Sequence, residues 1–378
     1  MKNIQPFRPL GIEQREYGVL ANGQVVTEFT LHNGRGASLS VINYGGTVTS
    51  LCMPDRHGHC ENIVLNLGSL EAYVAHTASF GCIVGRYANR IENGRFFLDG
   101  KLHQLAVNDG AHTLHGGAAG LSKQFWNIVA LPLALDLASH DQSVSVLLSI
   151  QSDDGEQGFP GTLAIDVCYT LTATNEWHIS YRAISDKTTI LNLSSHCYFN
   201  LSGSTARPMN AAQHTLMLNA DLYTTVNSAM IPTELCEVSN TPFDFRKPTV
   251  IADRISQHHA QLELARGYDH NFVIKPTLEA TVAGPLALQC AATLSDLRSG
   301  RGLEIFTTEP GIQLYSGNHL GSGLKDASGK QFQRGDGVCL ETQHFPNSPN
   351  RPDFPSTLLE AGQVYKSTTK HRFFTLTD

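Results

Sequence analysis

The sequence predicts an all-β protein, a sandwich or a barrel, with a few short helices. Period-two alternation of apolar and polar residues dominates. Turn residues recur at short intervals, with 33 glycines in 378 residues, and helical periodicity is scarce. No fixed-period repeat, low-complexity segment or flexible linker interrupts the chain, so residues 1–378 are expected to form a single domain.

The elements follow in order. Ser69 is placed to cap a short helix through Ala75. Asp99-Gly100 sits between Arg95–Leu98 and Lys101–Leu105, a strong hairpin signal. Val144, Val146, Leu148 and Ile150 alternate along one face. From Thr162 to Thr172 the buried face is Leu163, Ile165, Val167, Tyr169 and Leu171. Thr174-Asn175 forms a turn into Glu176–Ala183, where Trp177, Ile179, Tyr181 and Ala183 oppose His178, Ser180 and Arg182. Ala252 to Arg266 carries Ile255, His259 and Leu262 at helical spacing, with Gly267 as a stop signal. Val338 to Leu340 reads as a short buried strand that delivers Glu341.

Composition narrows the class. Hydrophobic content of 41% and charged content of 16% describe a soluble globular protein. A net charge of −7 argues against a nucleic-acid or anionic-membrane partner. Met1–Pro9 has no apolar core of signal-peptide length, and the most apolar run, Ile128–Leu137, is too short to span a bilayer. Eight scattered cysteines without a C-x-x-C pair suggest reduced thiols in a cytoplasmic setting. No zinc spacing is visible, so no metal is expected. His57-Gly58-His59 reads as a polar loop and His258-His259 as a solvated helix turn.

Five polar windows carry possible chemistry. Glu341 follows an apolar strand, where a carboxylate is costly to bury without partners. A tuned general base is often placed this way, and so is a salt-bridged Glu at a strand end. Gly85–Ile91 offers Arg86 and Arg90 beside Asn89, a set able to fork onto hydroxyls or carboxylates, or simply to face solvent. Thr113–Gly117 places His115 before two glycines that let backbone approach a ligand. Leu193–Leu201 puts His196 and Tyr198 on one strand face with Ser194 and Asn200. Gly267–Ile274 puts Asp269 and Asn271 on one face. The inventory lacks a nucleotide-binding glycine pattern and a nucleophile elbow, and it suits proton transfer on a polyhydroxylated neutral molecule.

Taken in order, these windows resemble the aldose 1-epimerases, the galactose mutarotases. The resemblance rests on Asn43–Gly46, Gly85–Ile91, Leu114–Gly117, Asp153–Gly161, Ser195–Leu201, Gly267–His270, Glu309–Asn318 and Leu340–Gln343. It spans residue 43 to about residue 350. Any one motif is weak, whereas eight in order are specific. The resemblance implies a large, mostly antiparallel β-sandwich with an open carbohydrate cleft, no metal or organic cofactor, and interconversion of the α and β anomers of free aldohexoses. It makes Glu341 the general base and His196 the general acid, with His115 assisting. Asn89, Arg90, Asp269 and Gln313 would hold sugar hydroxyls. Oligomeric state, monomer or homodimer, is left open.

The residue types suit that chemistry. Ring opening of a hemiacetal removes a proton from the C1 hydroxyl and gives one to the ring oxygen. A carboxylate takes the first and an imidazolium supplies the second, each worth roughly 10²–10⁴-fold. Three other readings fit parts of the inventory. An epimerase of the same fold acting on a hexose 6-phosphate would need a basic cluster at the cleft. A glycoside hydrolase would need two carboxylates, which Asp269 and Glu341 could supply. A non-catalytic sugar-binding β-sandwich would not need Glu341 and His196 together. The segments Leu131–Asp141 and Pro276–Leu286 look like length variations between strands.

Overall fold

The alternating strands assemble into three main antiparallel sheets. A computed structural model describes residues 8–136, 141–206, 210–276, 287–321 and 323–376. Gly11–Val19, Val25–His32, Ser38–Ile42, Thr47–Pro54 and Cys60–Asn62 form an N-terminal five-stranded meander. A ten-stranded sheet is built around Asp141–Ser152, Leu163–Thr172, Glu176–Ser185 and the C-terminal Val364–Thr375. A six-stranded sheet takes, side by side, Tyr198–Phe199, Val338–Gln343, Gly311–Tyr315, Asp269–Val273, Leu222–Val226 and Pro232–Glu237. The fold is thus the expected β-rich, mostly antiparallel one. No helix among the described residues is long and apolar enough to cross a membrane.

The predicted faces are the buried faces. Leu163, Ile165, Val167, Tyr169 and Leu171 are buried, as are Trp177, Ile179, Tyr181 and Ala183 opposite them. Inward residues of all three sheets join in one apolar cluster, including Leu31 and Val48, Val146 and Ile305, and Ile312 and Leu340. The Asp99-Gly100 hairpin forms as expected, with φ of 50° and 73°, the paired positive values of a tight turn between twisted strands. Ser69 caps Leu70–Ala75 through its hydroxyl, which accepts from the Ala72 amide.

Two expectations need correction. The helical run over 252–266 is two short helices, Ile251–Ile255 and Ala260–Ala265. His259 breaks it: its Nδ1 accepts the Gln261 amide hydrogen at 3.2 Å, so the side chain caps a new helix instead of continuing the old one. The left-handed stop residue is Arg266, at φ 56°, one position before Gly267. The strand begun at Val338 also runs on to Gln343, so Glu341 lies inside it. Of the two length variations, Ala134–Asp136 pairs as a short strand on the edge of Asp141–Ser152. Residues 137–140 and 277–286 lie outside the described residues.

Candidate active site

Alternation along the six-stranded sheet gives it two unlike faces. Phe272, Ile312, Leu314, Val338 and Leu340 point into the shared core. The residues between them, Asp269, Asn271, Gln313, Tyr315, Cys339, Glu341 and Gln343, point the other way. Register brings Asn271, Gln313 and Glu341 abreast on three neighbouring strands, with Asp269, Tyr315 and Cys339 in the next row. That polar face underlies a cleft of about 520 Å³.

The other walls come from the earlier windows. Thr113–Leu114 pairs with Arg90–Ile91 as a small antiparallel ribbon. Asn89 and His115 lock together at its end: the Asn89 amide donates to His115 Nδ1 at 3.1 Å, and the His115 amide to the Asn89 carbonyl at 3.0 Å. With Nδ1 an acceptor, a neutral His115 carries its proton on Nε2. Ser194–Ser195 pairs with Ile83–Val84, whereas Tyr198–Phe199 pairs with Val338–Cys339. The chain therefore changes sheets at His196-Cys197 and drops His196 over Glu341.

Six of the seven predicted site residues meet on the cleft: Asn89, Arg90, His115, His196, Asp269 and Glu341. Gln313 is not on its lining. It is 3% exposed and donates through Nε2 to Asp269 Oδ1 at 2.7 Å, while its Oε1 accepts from Gln343 Nε2 at 3.4 Å. Its place is beneath Asp269. Several window residues also serve the scaffold. Arg86 is buried and donates to the carbonyls of Asp153, Pro160 and Gly161 and to Ser152. Ser194 and Asn200 hold the carbonyls of Thr342 and Asp336. Asn271 is buried beneath the cleft. Sequence reasoning missed Asp109, His76 and Tyr315. Asp109 was hidden in a polar loop, yet its Oδ2 takes Arg90 Nε at 2.7 Å. His76 follows the short helix, and its Nδ1 accepts the Ala78 amide hydrogen at 2.9 Å. Tyr315 could have been found from its period-two step beyond Gln313.

The electrostatics centre on one pair. His196 Nε2 lies 3.6 Å from Glu341 Oε1, both side chains being almost wholly buried. Glu341 Oε2 is buried without a hydrogen-bond partner among the described residues. Burial raises the Glu341 carboxyl well above its ordinary value, Asp269 adds to the rise and Arg90 opposes it. Burial lowers His196 to about 4. Burial also takes His115 well below its usual value, helped by His196 and Arg90. All three shifts push the free site toward a neutral carboxyl beside neutral imidazoles. Asp269 acts on Glu341 more than on either histidine. Arg90, the one Lys or Arg on the described lining, is matched by Asp109 and, at 3.9 Å, by Asp269.

His115, His196 and Glu341 each offer one donor atom within 4.8 Å of the others, a spacing a metal ion can bridge. The tautomer of His115 fits that use poorly, because Nδ1 is committed to the Asn89 amide and Nε2 then holds a proton in place of a lone pair.

Comparison with known proteins extends the match over most of the chain. The sequence model of the family described as aldose 1-epimerase matches residues 27–372. A galactose mutarotase of Sus scrofa is 38% identical over 362 residues, 95% of this chain and 98% of that protein. An aldose 1-epimerase of Escherichia coli K12 is 35% identical over 355 residues, 93% of this chain and 96% of that protein. The crystal structure of a galactose 1-epimerase from Lactobacillus acidophilus superposes with a TM-score of 0.82 at 29% identity, covering 97% of this chain and 100% of that one.

Proposed function

The chain belongs to the aldose 1-epimerase family, and from that membership we propose that it interconverts the α and β anomers of free aldohexoses, glucose and galactose among them. The observation that carries the proposal is the buried Glu341–His196 pair, 3.6 Å apart and open to the cleft. A carboxyl and an imidazole so placed can serve the two oxygens bonded to C1.

In ring opening, Glu341 as carboxylate takes the C1 hydroxyl proton. The C1–ring oxygen bond breaks, and His196 as imidazolium protonates the departing oxygen. The aldehyde turns about C1–C2, and closure returns both protons. One proton is shared by the pair throughout: on His196 with the cyclic sugar, on Glu341 with the open chain. The free site's preference for a neutral pair makes it the protonation state from which closure starts; opening begins once the shared proton has passed from Glu341 to His196, 3.6 Å away. His115, a neutral Nε2–H donor, assists at the reacting end. Asn89, Arg90 and Asp269 hold hydroxyls, and Gln313 supports Asp269 from below. The proton count closes within the pair, so no metal or organic cofactor is called for.

The hexose 6-phosphate reading is disfavoured by charge. A phosphate calls for unmatched cations, whereas Arg90 already faces two carboxylates. Residues 1–378 are read as one aldose-1-epimerase-like domain, supported by the family match over 27–372 and the apolar cluster common to the three sheets. A cytoplasmic setting, supported by eight free cysteines, and a monomer or homodimer complete the proposal. Polarimetry tests it: freshly dissolved α-D-glucose or α-D-galactose should reach equilibrium rotation faster with the protein than in buffer. Acceleration confined to a hexose 6-phosphate would favour the other reading, and tight sugar binding without acceleration would favour a non-catalytic one.

A further inference from the structure

His196 has two ring nitrogens, and the proposed reaction uses one. Nε2 faces Glu341; Nδ1 lies 3.6 Å from the Sγ of Cys339. Cys339 is wholly buried and stands two residues before Glu341 in the same strand, so both side chains leave the sheet on the cleft face. Tyr198 and Tyr315 pair with Cys339 from the strands on either side. Their rings lie 5.0 and 6.3 Å from that of His196, centroid to centroid. His115 meets the same imidazole edge-on at 5.2 Å. The thiol is thus fixed against the nitrogen remote from the chemistry.

Building on the reading of His196 as the proton donor, we propose that Cys339 is a positioning residue whose Sγ accepts the Nδ1–H of His196, so that Nε2 alone takes up and releases the proton. As an imidazolium, His196 carries hydrogen on both nitrogens. When the C1–ring oxygen bond breaks, the Nε2–H bond breaks with it and a ring oxygen–H bond forms. The Nδ1–H stays on Sγ. In the other tautomer Nε2 would hold the remaining hydrogen, and its lone pair could not take the proton back on closure. Sulfur suits the task because it is a weak acceptor. A carboxylate there would orient the ring but would also stabilise the imidazolium and blunt it as an acid. Burial keeps the thiol itself protonated, well above its ordinary value.

The test reads the tautomer directly. Wild type, Cys339→Ser and Cys339→Ala are labelled with ¹⁵N-histidine and examined by NMR at pH 7.5, where a neutral His196 is expected. Its signals are identified by their loss in His196→Asn. Wild type and Cys339→Ser should show the Nδ1–H form, and Cys339→Ala a mixture shifted toward Nε2–H. With free sugar, Cys339→Ala should lose about tenfold in kcat with little change in KM, part of the roughly 10²–10⁴-fold a positioned acid supplies. Cys339→Ser should recover most of it. Should the cavity in Cys339→Ala prevent folding, Cys339→Val fills the same volume without an acceptor. An Nε2–H tautomer in wild type, or an unchanged tautomer in the Ala or Val variant, overturns the proposal. Absence of mutarotation by wild type would instead overturn the functional reading, and the tautomer would still decide the role of Cys339.

Discussion

Glu341 is buried with one oxygen 3.6 Å from His196 and the other unpartnered among the described residues. Glu341→Gln keeps the shape and removes the proposed base; His196→Asn removes the proposed acid. Each should lower kcat by about 10²-fold or more while circular dichroism stays that of the folded protein. The double variant should be only slightly worse than either single one, because the two act as a unit. The pH profile should be a bell reporting the pair. Activity needs one shared proton. Below about 4 a second proton settles on His196, and activity falls. At high pH activity falls as the raised Glu341 carboxyl gives up the last one. Ordinary carboxyl and imidazole values would place the limbs the other way, with Glu341 protonating in acid and His196 deprotonating in base. The reversal comes from burial, which a sequence does not state. Glu341 and His196 stood out as candidates because their windows interrupt apolar strands, and their proposed roles came from the family resemblance. Gln313's place beneath the cleft was not legible, since only cross-strand register decides which amide reaches the surface.

Among the elements, the strand Val338–Gln343 is secured just past its end by a half-buried pair, with His344 partly exposed and Glu309 buried. His344 Nδ1 meets Glu309 Oε2 at 2.6 Å, and Tyr365 and Ser367 also donate to Glu309. Burial lowers the His344 pKa, but Glu309 outweighs it and the net shift is upward. Burial opposes ionisation of Glu309, yet His344 and the two hydroxyls hold its pKa below the ordinary value. The signs give a window. The His344 contribution is complete below its unfolded pKa and is lost as pH rises through the raised folded one. The Glu309 contribution is complete above its unfolded pKa and is lost as pH falls through the depressed folded one. Glu309→Gln should cost about 1.5–3 kcal/mol between those limits and progressively less as pH rises above the unfolded His344 value. Urea denaturation of both proteins from pH 5 to 9 checks this, and a difference that does not vary with pH would refute it. Strand alternation announced these elements well, as Leu163–Thr172 and Glu176–Ser185 show. The break at His259 escaped notice because a capping side chain and a helical one occupy the same place in a periodic pattern.

At the scale of the molecule, the proposed reaction closes on protons supplied by the chain. Dialysis against EDTA should leave the rate of mutarotation unchanged; loss of activity restored by zinc or magnesium would make His115, His196 and Glu341 a metal site instead. The family was legible because eight short motifs kept their order. The joining of three sheets around one core was not, being a matter of long-range pairing that local patterns cannot fix. The two-faced sheet has a consequence for how the sequence can change. In Val338–Gln343, neighbouring letters answer to different demands. Val338, Leu340 and Thr342 face the core; Cys339, Glu341 and Gln343 face the cleft side, where the proposed reaction draws on Glu341 and Cys339. A scan of every substitution in this strand, scored for protein abundance and separately for mutarotation, should give two interleaved records. Changes at the first set should deplete the protein, and conservative changes at the second, such as Cys339→Val and Glu341→Gln, should leave it abundant and slow. Deleting one residue at the strand's start, which moves each side chain to the opposite face, should destroy both at once.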